Sequence, residues 1–181
     1  MAQKNNLKYI ILGLLSEQPL TGYDIAKTFD SDIGEFWSAN HSQIYPLLKK
    51  LETEKLITHQ VIVTGEKLEK KRYSLTDAGQ QEFELWLSSP TPTLSNNKDE
   101  FILKLYFISN YQNAQLPAML GEQLALHQNK LAHLHEQMRT KFPTSIEKSA
   151  QFGHFLILQH AIEREQLYSN WLQKILTGIE E

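Results

Sequence analysis

The chain has 181 residues, of which 41% are hydrophobic and 22% charged, with a formal net charge of −3 and no cysteine. Such values fit one large globular domain or two small ones, exclude disulfides and thiolate metal sites, and argue against a general nucleic-acid coat protein. No apolar stretch reaches the ~20 residues of a membrane span, and the N-terminal segment has no signal-peptide pattern, so the expected location is the cytoplasm.

Leu7, Ile10, Ile11, Leu14 and Leu15 follow the i, i+3, i+4, i+7, i+8 spacing of an amphipathic helix that ends before Pro19. Thr21 is the expected N-cap of a second helix, with Asp24 in the capping-box position and Tyr23, Ile25, Ala26 and Phe29 on its buried side. Phe36 and Trp37 are expected to wedge the following turn. A third helix then carries Ile44, Leu47, Leu48 and Leu51 on one face. Ser42, Pro46, Lys49 and Thr53 fall on its opposite face, flanked by Gln43, Tyr45 and Lys50. Pro46 is read as lying in the first turns, where the lost donor costs least.

A β-like run, Ile57–Val63, a turn at Thr64-Gly65 and a lysine-rich return, Lys67–Leu75, follow that helix. Helix, hairpin and basic hairpin tip together read as a winged helix-turn-helix, whose outer helix face fits a DNA major groove. Between His41 and Ser74 seven basic residues face four acidic ones, so a modestly basic patch sits on an otherwise acidic chain. Ser42, Gln43 and Tyr45 are the expected base-edge contacts. Lys49, Lys67, Lys70, Lys71 and Arg72 are the expected phosphate contacts.

A further helix opens at Thr76-Asp77, with Phe83, Leu85, Trp86 and Leu87 as its apolar residues. Ser88–Asn97 (SSPTPTLSNN) breaks all periodicity and reads as a linker, giving domains at 1–89 and 98–181. Beyond it lie a short helix (Lys98–Ile108), a long one (Asn113–Lys141) and a final one (about Ser149 to Thr177). Leu120, Leu124, His127, Leu131, Leu134 and Met138 make a seam on the long helix that suits either intrachain core or a subunit interface. Trp171, Leu172, Ile175 and Leu176 read as an apolar cluster that a monomer would leave exposed, which predicts a homodimer. The fold class expected is mainly α with a small β-hairpin wing: a winged helix-turn-helix plus a C-terminal helical domain.

Seven histidines invite a metal reading, but no two stand four residues apart, so no metal site is expected. Neither a complete P-loop nor a GxSxG elbow occurs, and no cofactor or enzymatic activity is expected. A protein-interaction module remains the alternative reading of the basic hairpin.

The stretches LKYIILGLL, LTGYDIAKTF, FWSANHSQIYPLLKKL, GEKLEKKRYSLTDAG and, further on, KDEFILKLYFIS, FGHFLIL and AIEREQLY resemble the PadR family of transcriptional regulators. The likeness runs from Leu7 to Ile175, and FWSANHSQIYP with KLEKKRYSLTD resembles its phenolic-acid-responsive repressors. That resemblance implies a C-terminal helical dimerisation and effector domain, and repression of a phenolic acid decarboxylase gene. It also implies release from operator DNA by hydroxycinnamic acids such as p-coumarate or ferulate, with other aromatic or hydrophobic ligands as the alternative. Such a ligand needs apolar walls and a few convergent polar groups. Tyr9, Tyr106, His154, Arg164 and Tyr168 are the candidates, expected to line a pocket between the first helix and the C-terminal helices.

Overall fold

In the computed structural model, residues 6–29, 33, 37, 41–64, 68–91 and 99–180 are described, and the chain divides into two compact units, Met1–Leu94 and Ser95–Glu181. Phe36, Gly65, Lys67 and most of the 88–97 linker lie outside the described residues.

The first unit holds α1 (Asn6–Glu17), β1 (Leu20–Thr21), α2 (Gly22–Phe29), α3 (His41–Thr53), β2 (Ile57–Thr64), β3 (Leu68–Leu75) and α4 (Asp77–Ser88). Its core gathers Leu7, Ile11, Leu12 and Leu15 of α1, Ile25 and Phe29 of α2, and Ile57 and Tyr73 of the hairpin around α3. All four residues assigned to the inner face of α3, namely Ile44, Leu47, Leu48 and Leu51, are buried there. On α1 the buried stripe takes in Leu12, while Ile10 and Leu14 are only half-buried. The shift has a cause in α4: the Phe83 ring lies where a Cβ on Gly13 would come within 3.1 Å of it, so α1 is covered from a second side. Leu85 and Leu87, read as apolar contributors of α4, are exposed instead; Phe83 and Trp86 do the packing.

The capping box of α2 closes as expected. Asp24 N donates to Thr21 Oγ1 (3.2 Å), while Thr21 N and Oγ1 donate to Asp24 Oδ2 (3.1 and 2.7 Å). Those hydrogen bonds from Thr21 hold the Asp24 carboxyl below its usual range. The hairpin pairs Ile57 with Leu75 through Thr64 with Leu68. A third strand, unforeseen, joins it: Leu20 and Thr21 pair with Tyr73 and Arg72, giving the order β1-β3-β2.

Where α3 ends, Lys55 takes a left-handed conformation (φ 59°), Lys55 N donates to Glu52 O and Leu56 N to Leu51 O. That is the Schellman arrangement, in which glycine is the unstrained residue. Lys55→Gly should therefore stabilise the first unit by roughly 0.5–1 kcal/mol in a urea titration. An unchanged midpoint would show that the lysine stem offsets the strain by packing. Leu56 O then accepts from Thr76 N (3.1 Å) and Thr76 Oγ1 (2.9 Å), and Gly79 N donates to Thr76 Oγ1 (3.1 Å). A Cβ on Gly79 would stand 2.0 Å from Leu56 O, so only glycine fits this junction.

The second unit holds α5 (Glu100–Tyr106), α6 (Leu116–Lys141), α7 (Ser145–Ala150) and α8 (Phe152–Glu180). The helix expected from about Ser149 begins only at Phe152, since α7 is a separate short helix capped by Thr144. Helices α6 and α8 run antiparallel: Leu120 and Leu124 meet Leu172 at one end, and Leu134 meets Leu158 at the other. The seam of α6 is thus intrachain core.

The cluster at the end of α8 corrects an expectation. Leu172 is 0% exposed, and Ile175 and Leu176 pack on the same core, so they form no surface patch; Trp171, at 37%, is the exposed member. The apolar surface of α8 is carried instead by Phe152, Leu156, Leu167 and Trp171. At about 100° per residue these four share one stripe opposite the buried residues Leu158, Glu165 and Leu172.

Candidate nucleic-acid interface

With its inner face fixed by Ile44, Leu47, Leu48 and Leu51, α3 turns Ser42, Gln43, Tyr45, Pro46 and Lys49 to solvent. Ser42 and Gln43 stand in its first turn. The Tyr45 ring leans on α2: a Cβ at Gly22 would come within 2.8 Å of Tyr45 Cε1. Beside it, Lys70, Lys71 and Arg72 take successive positions on β3, opposite Ile62, Val61 and Gln60. Strand β1 pairs only as far as Arg72, so the stretch of β3 bearing Lys70 and Lys71 has an open edge on that side. The Arg72 Nε points at Pro19 O (3.5 Å), and the Lys70 ammonium lies 5.9 Å from the centre of the Tyr23 ring. A cavity of about 260 Å³ opens between α2, α3 and β3, lined by Tyr23, Tyr45, Lys70 and Lys71 among others. Side chains alternate along a strand, so Lys70 and Arg72 share one side of the wing and Lys71 takes the other; the α3 face and the wing meet where Tyr45, Lys70 and Lys71 line the cavity, and Lys67 lies outside the described residues.

Tyr23 is a residue of this surface that sequence reasoning placed on the buried side of α2. It is 62% exposed. The available signal was its angle: at about 100° per residue Tyr23 lies well off the face that Ile25, Ala26 and Phe29 bury.

The five candidates for an aromatic acid are not gathered by either unit. Tyr9 belongs to the first, where its ring stacks on Trp86 (4.6 Å between centres) and its hydroxyl donates to Glu82 Oε1 (3.3 Å), which also accepts from Lys8 Nζ (2.8 Å). In the second unit, Tyr106 is strongly exposed. His154 meets the edge of Phe142 and has a buried Nε2 with no hydrogen-bond partner among the described residues. Tyr168 stacks on His127 (4.0 Å), and its hydroxyl donates to Asp99 Oδ2 (2.9 Å), with burial and then that carboxylate pushing the phenol well above its usual range. Arg164, expected as a counter-charge for a ligand, pairs instead with Glu165 (3.0 Å). His154 and Tyr168 are fourteen residues apart on one helix, roughly 21 Å, too far for one small acid to touch both.

Among the described residues of this unit, Glu165 is the buried anion. Burial pushes its carboxyl up, but the hydrogen bonds from His127 Nδ1 (2.5 Å) and Arg164 outweigh it, and the net shift is downward from about 4.5. A lowered carboxyl stabilises the fold above its unfolded value, and that contribution is lost as pH falls through the folded one. Urea midpoints should therefore drop below about pH 4.5, and drop less steeply in Glu165→Gln. Parallel pH profiles for the two proteins would remove Glu165 from the account of acid sensitivity.

Comparison with known proteins separates the same two units. Residues 11–85 match the transcriptional regulator PadR-like family and residues 97–180 the virulence activator alpha C-terminal family. The chain is 46% identical over 178 residues to the negative transcriptional regulator PadR of Bacillus subtilis, covering 97% of this chain and 98% of that one.

The chain belongs to the PadR family.

It is accordingly a transcriptional regulator with the winged-helix architecture of that family, and not an enzyme. Among solved structures it is similar to Bacillus subtilis PadR in complex with operator DNA, with a TM-score of 0.87 and 46% identity over 97% of this chain and 99% of that chain. It is also similar to the same PadR in complex with p-coumaric acid, with a TM-score of 0.84 and 44% identity over 97% and 99%. The Vibrio cholerae virulence activator AphA is 28% identical over 96% and 98%, with a TM-score of 0.74. Among the described residues no helix is long and apolar enough to cross a membrane.

Proposed function

We propose that this PadR-family protein is a cytoplasmic repressor that binds operator DNA as a homodimer and leaves it when a hydroxycinnamic acid of the p-coumarate or ferulate type binds. The gene it represses encodes a phenolic acid decarboxylase. Residues 1–89 read the DNA, and residues 98–181 provide dimerisation and effector binding. The carrying observation is that the exposed face of α3, bearing Ser42, Gln43, Tyr45 and Lys49, meets the basic strand bearing Lys70, Lys71 and Arg72 at the cavity lined by Tyr45, Lys70 and Lys71. The order of parts, helix for the groove and strand for the backbone, is the one a winged helix needs. The 46% identity to Bacillus subtilis PadR, solved with both operator DNA and p-coumaric acid, supports the effector half.

The α8 stripe supports the reading of a second copy. Phe152, Leu156, Leu167 and Trp171 form an apolar row that the α6–α8 pairing leaves uncovered, and a two-fold partner offering the same row covers it. Dimerisation also sets two recognition helices about 34 Å apart, one turn of duplex.

Of the groups considered for the effector, Tyr9, Tyr106, His154, Arg164 and Tyr168, no one small acid reaches all, and His154, with its orphaned buried nitrogen, has most to gain from an acid. The ligand shifts the equilibrium only by its different affinity for the DNA-competent and DNA-released states. The test is operator affinity measured against p-coumarate concentration. Release is expected in wild type and its loss in His154→Ala, with DNA binding kept. If p-coumarate and ferulate leave operator affinity untouched, the aromatic-acid reading is wrong and the DNA reading stands alone.

A further inference from the structure

The cavity between α2, α3 and β3 is unlike the rest of the DNA-facing surface, because it is concave. Its volume, about 260 Å³, is many times the ~10–15 Å³ that one water needs. Tyr23 and Tyr45 supply aromatic walls, the Lys70 ammonium lies 5.9 Å from the centre of the Tyr23 ring, and among the described residues no carboxylate lines it. Asp24, whose charge Lys70 feels, is turned onto Thr21 N and Oγ1. Such a lining suits a small oxyanion held by charge-assisted hydrogen bonds.

Two features tie the cavity to the duplex. The first helix of a helix-turn-helix crosses the DNA backbone while the second lies in the major groove. Tyr23 stands on that first helix, Tyr45 on the second, and Lys70 on the wing. An exposed tyrosine under a lysine ammonium has little to gain from the core, since 62% of it is outside. Gly22 completes the arrangement: without a Cβ it lets the Tyr45 ring settle against α2, so the wall of the cavity and a base-facing side chain are one residue.

We propose that this cavity seats one backbone phosphate of each half-site, with the Tyr23 hydroxyl and the Lys70 ammonium donating to it. The proposal rests on the operator-binding reading above and adds a positioning contact to it. A phosphate locked here fixes the depth and rotation of α3 in the groove, through Tyr45, before any base is read.

The experiment uses the full-length chain and a duplex bearing the operator sequence crystallised with Bacillus subtilis PadR, or, failing binding, a duplex selected from random sequence. Single neutral methylphosphonate linkages are walked along the duplex, and dissociation constants are measured for wild type, Tyr23→Phe and Lys70→Gln. Tyr23 is exposed and Lys70 half-buried, and the phenylalanine removes one hydroxyl only. At one position per half-site, wild type should lose about tenfold in affinity, the scale of one hydrogen bond to a charged group. Tyr23→Phe and Lys70→Gln should each be weaker on the unmodified duplex, yet suffer clearly less from the neutral linkage at that same position. Their base preferences should match wild type. If every linkage penalises the variants as it does wild type, the seat is overturned while operator binding stands. If wild type binds no duplex, the operator reading fails and the seat with it.

Discussion

Leu172→Asp should unfold the helical unit, whereas Trp171→Asp, one residue earlier, should leave it folded and separate the dimer. Leu172 is fully buried between α8 and the Leu116, Leu120 and Leu124 side of α6. Its replacement loses the packing of a core leucine, worth ~2–5 kcal/mol, and puts a carboxylate into an apolar cluster. Together these are comparable with the whole stability of a small unit, ~5–15 kcal/mol. Trp171 points to solvent and touches Tyr168 edge-on at 5.4 Å, so its loss spares the core. Circular dichroism with sedimentation equilibrium distinguishes the cases. Helix content should collapse in the first variant; in the second it should persist at half the mass, with operator affinity lost. A folded Leu172→Asp would mean that the α6–α8 pairing is wrong, and a dimeric Trp171→Asp that the partner sits elsewhere.

Removing Lys71 and Arg72 together should weaken binding to every DNA sequence alike. Each neutralised phosphate contributes about 0.9 to the slope of log affinity against log salt, so the double alanine variant should flatten that slope by up to ~2. Gln43→Ala should behave differently. It is exposed in the first turn of α3, and loss of a base contact there should change discrimination among operator variants by ~1–3 kcal/mol while leaving the salt slope alone. The contrast matters more than either loss. An acidic protein partner in place of DNA would respond to the lysines but could not show a base-by-base preference. Arg72 also approaches Pro19 O at the β1 edge, so a Lys71→Ala single variant separates charge from strand pairing.

The features legible in the sequence were those written as local period. Ile44, Leu47, Leu48 and Leu51 announce the inner face of α3, and with it the outer one, because a helix on a core has only two sides to assign. The hairpin was legible from the β-branched run Ile57–Val63, the turn at Thr64-Gly65 and the lysine-rich return after it. Strand β1 was not, since two residues between Pro19 and Gly22 carry no alternation and their pairing with Tyr73 and Arg72 is purely tertiary. Leu85 and Leu87 misled because composition does not say which apolar residue of α4 meets α1; Phe83 and Trp86 take that role through Gly13 and Tyr9. Trp171, Leu172, Ile175 and Leu176 were grouped by nearness in sequence, yet Leu172 faces α6 while Trp171 faces out, about 100° away on the same helix. The cavity beside Tyr23 was invisible for the same reason: it is enclosed by three elements, and no one of them records it.

The junction at Leu56 has a consequence for how such a regulator diverges. One carbonyl there receives Thr76 N and Oγ1, and Gly79 is pressed against it with no room for a methyl group, so the foot of the hairpin is clamped to the end of α3. The reading helix and the wing strand are therefore held to each other like the fixed jaws of a gauge. Exposed positions such as Ser42 and Gln43 can change without disturbing that spacing, because neither takes part in the clamp. Paralogues sharing the clamp would be expected to grip the sugar-phosphate frame alike while differing in the letters they choose, so that new operator preferences arise by exchange of two or three surface side chains on an unaltered chassis.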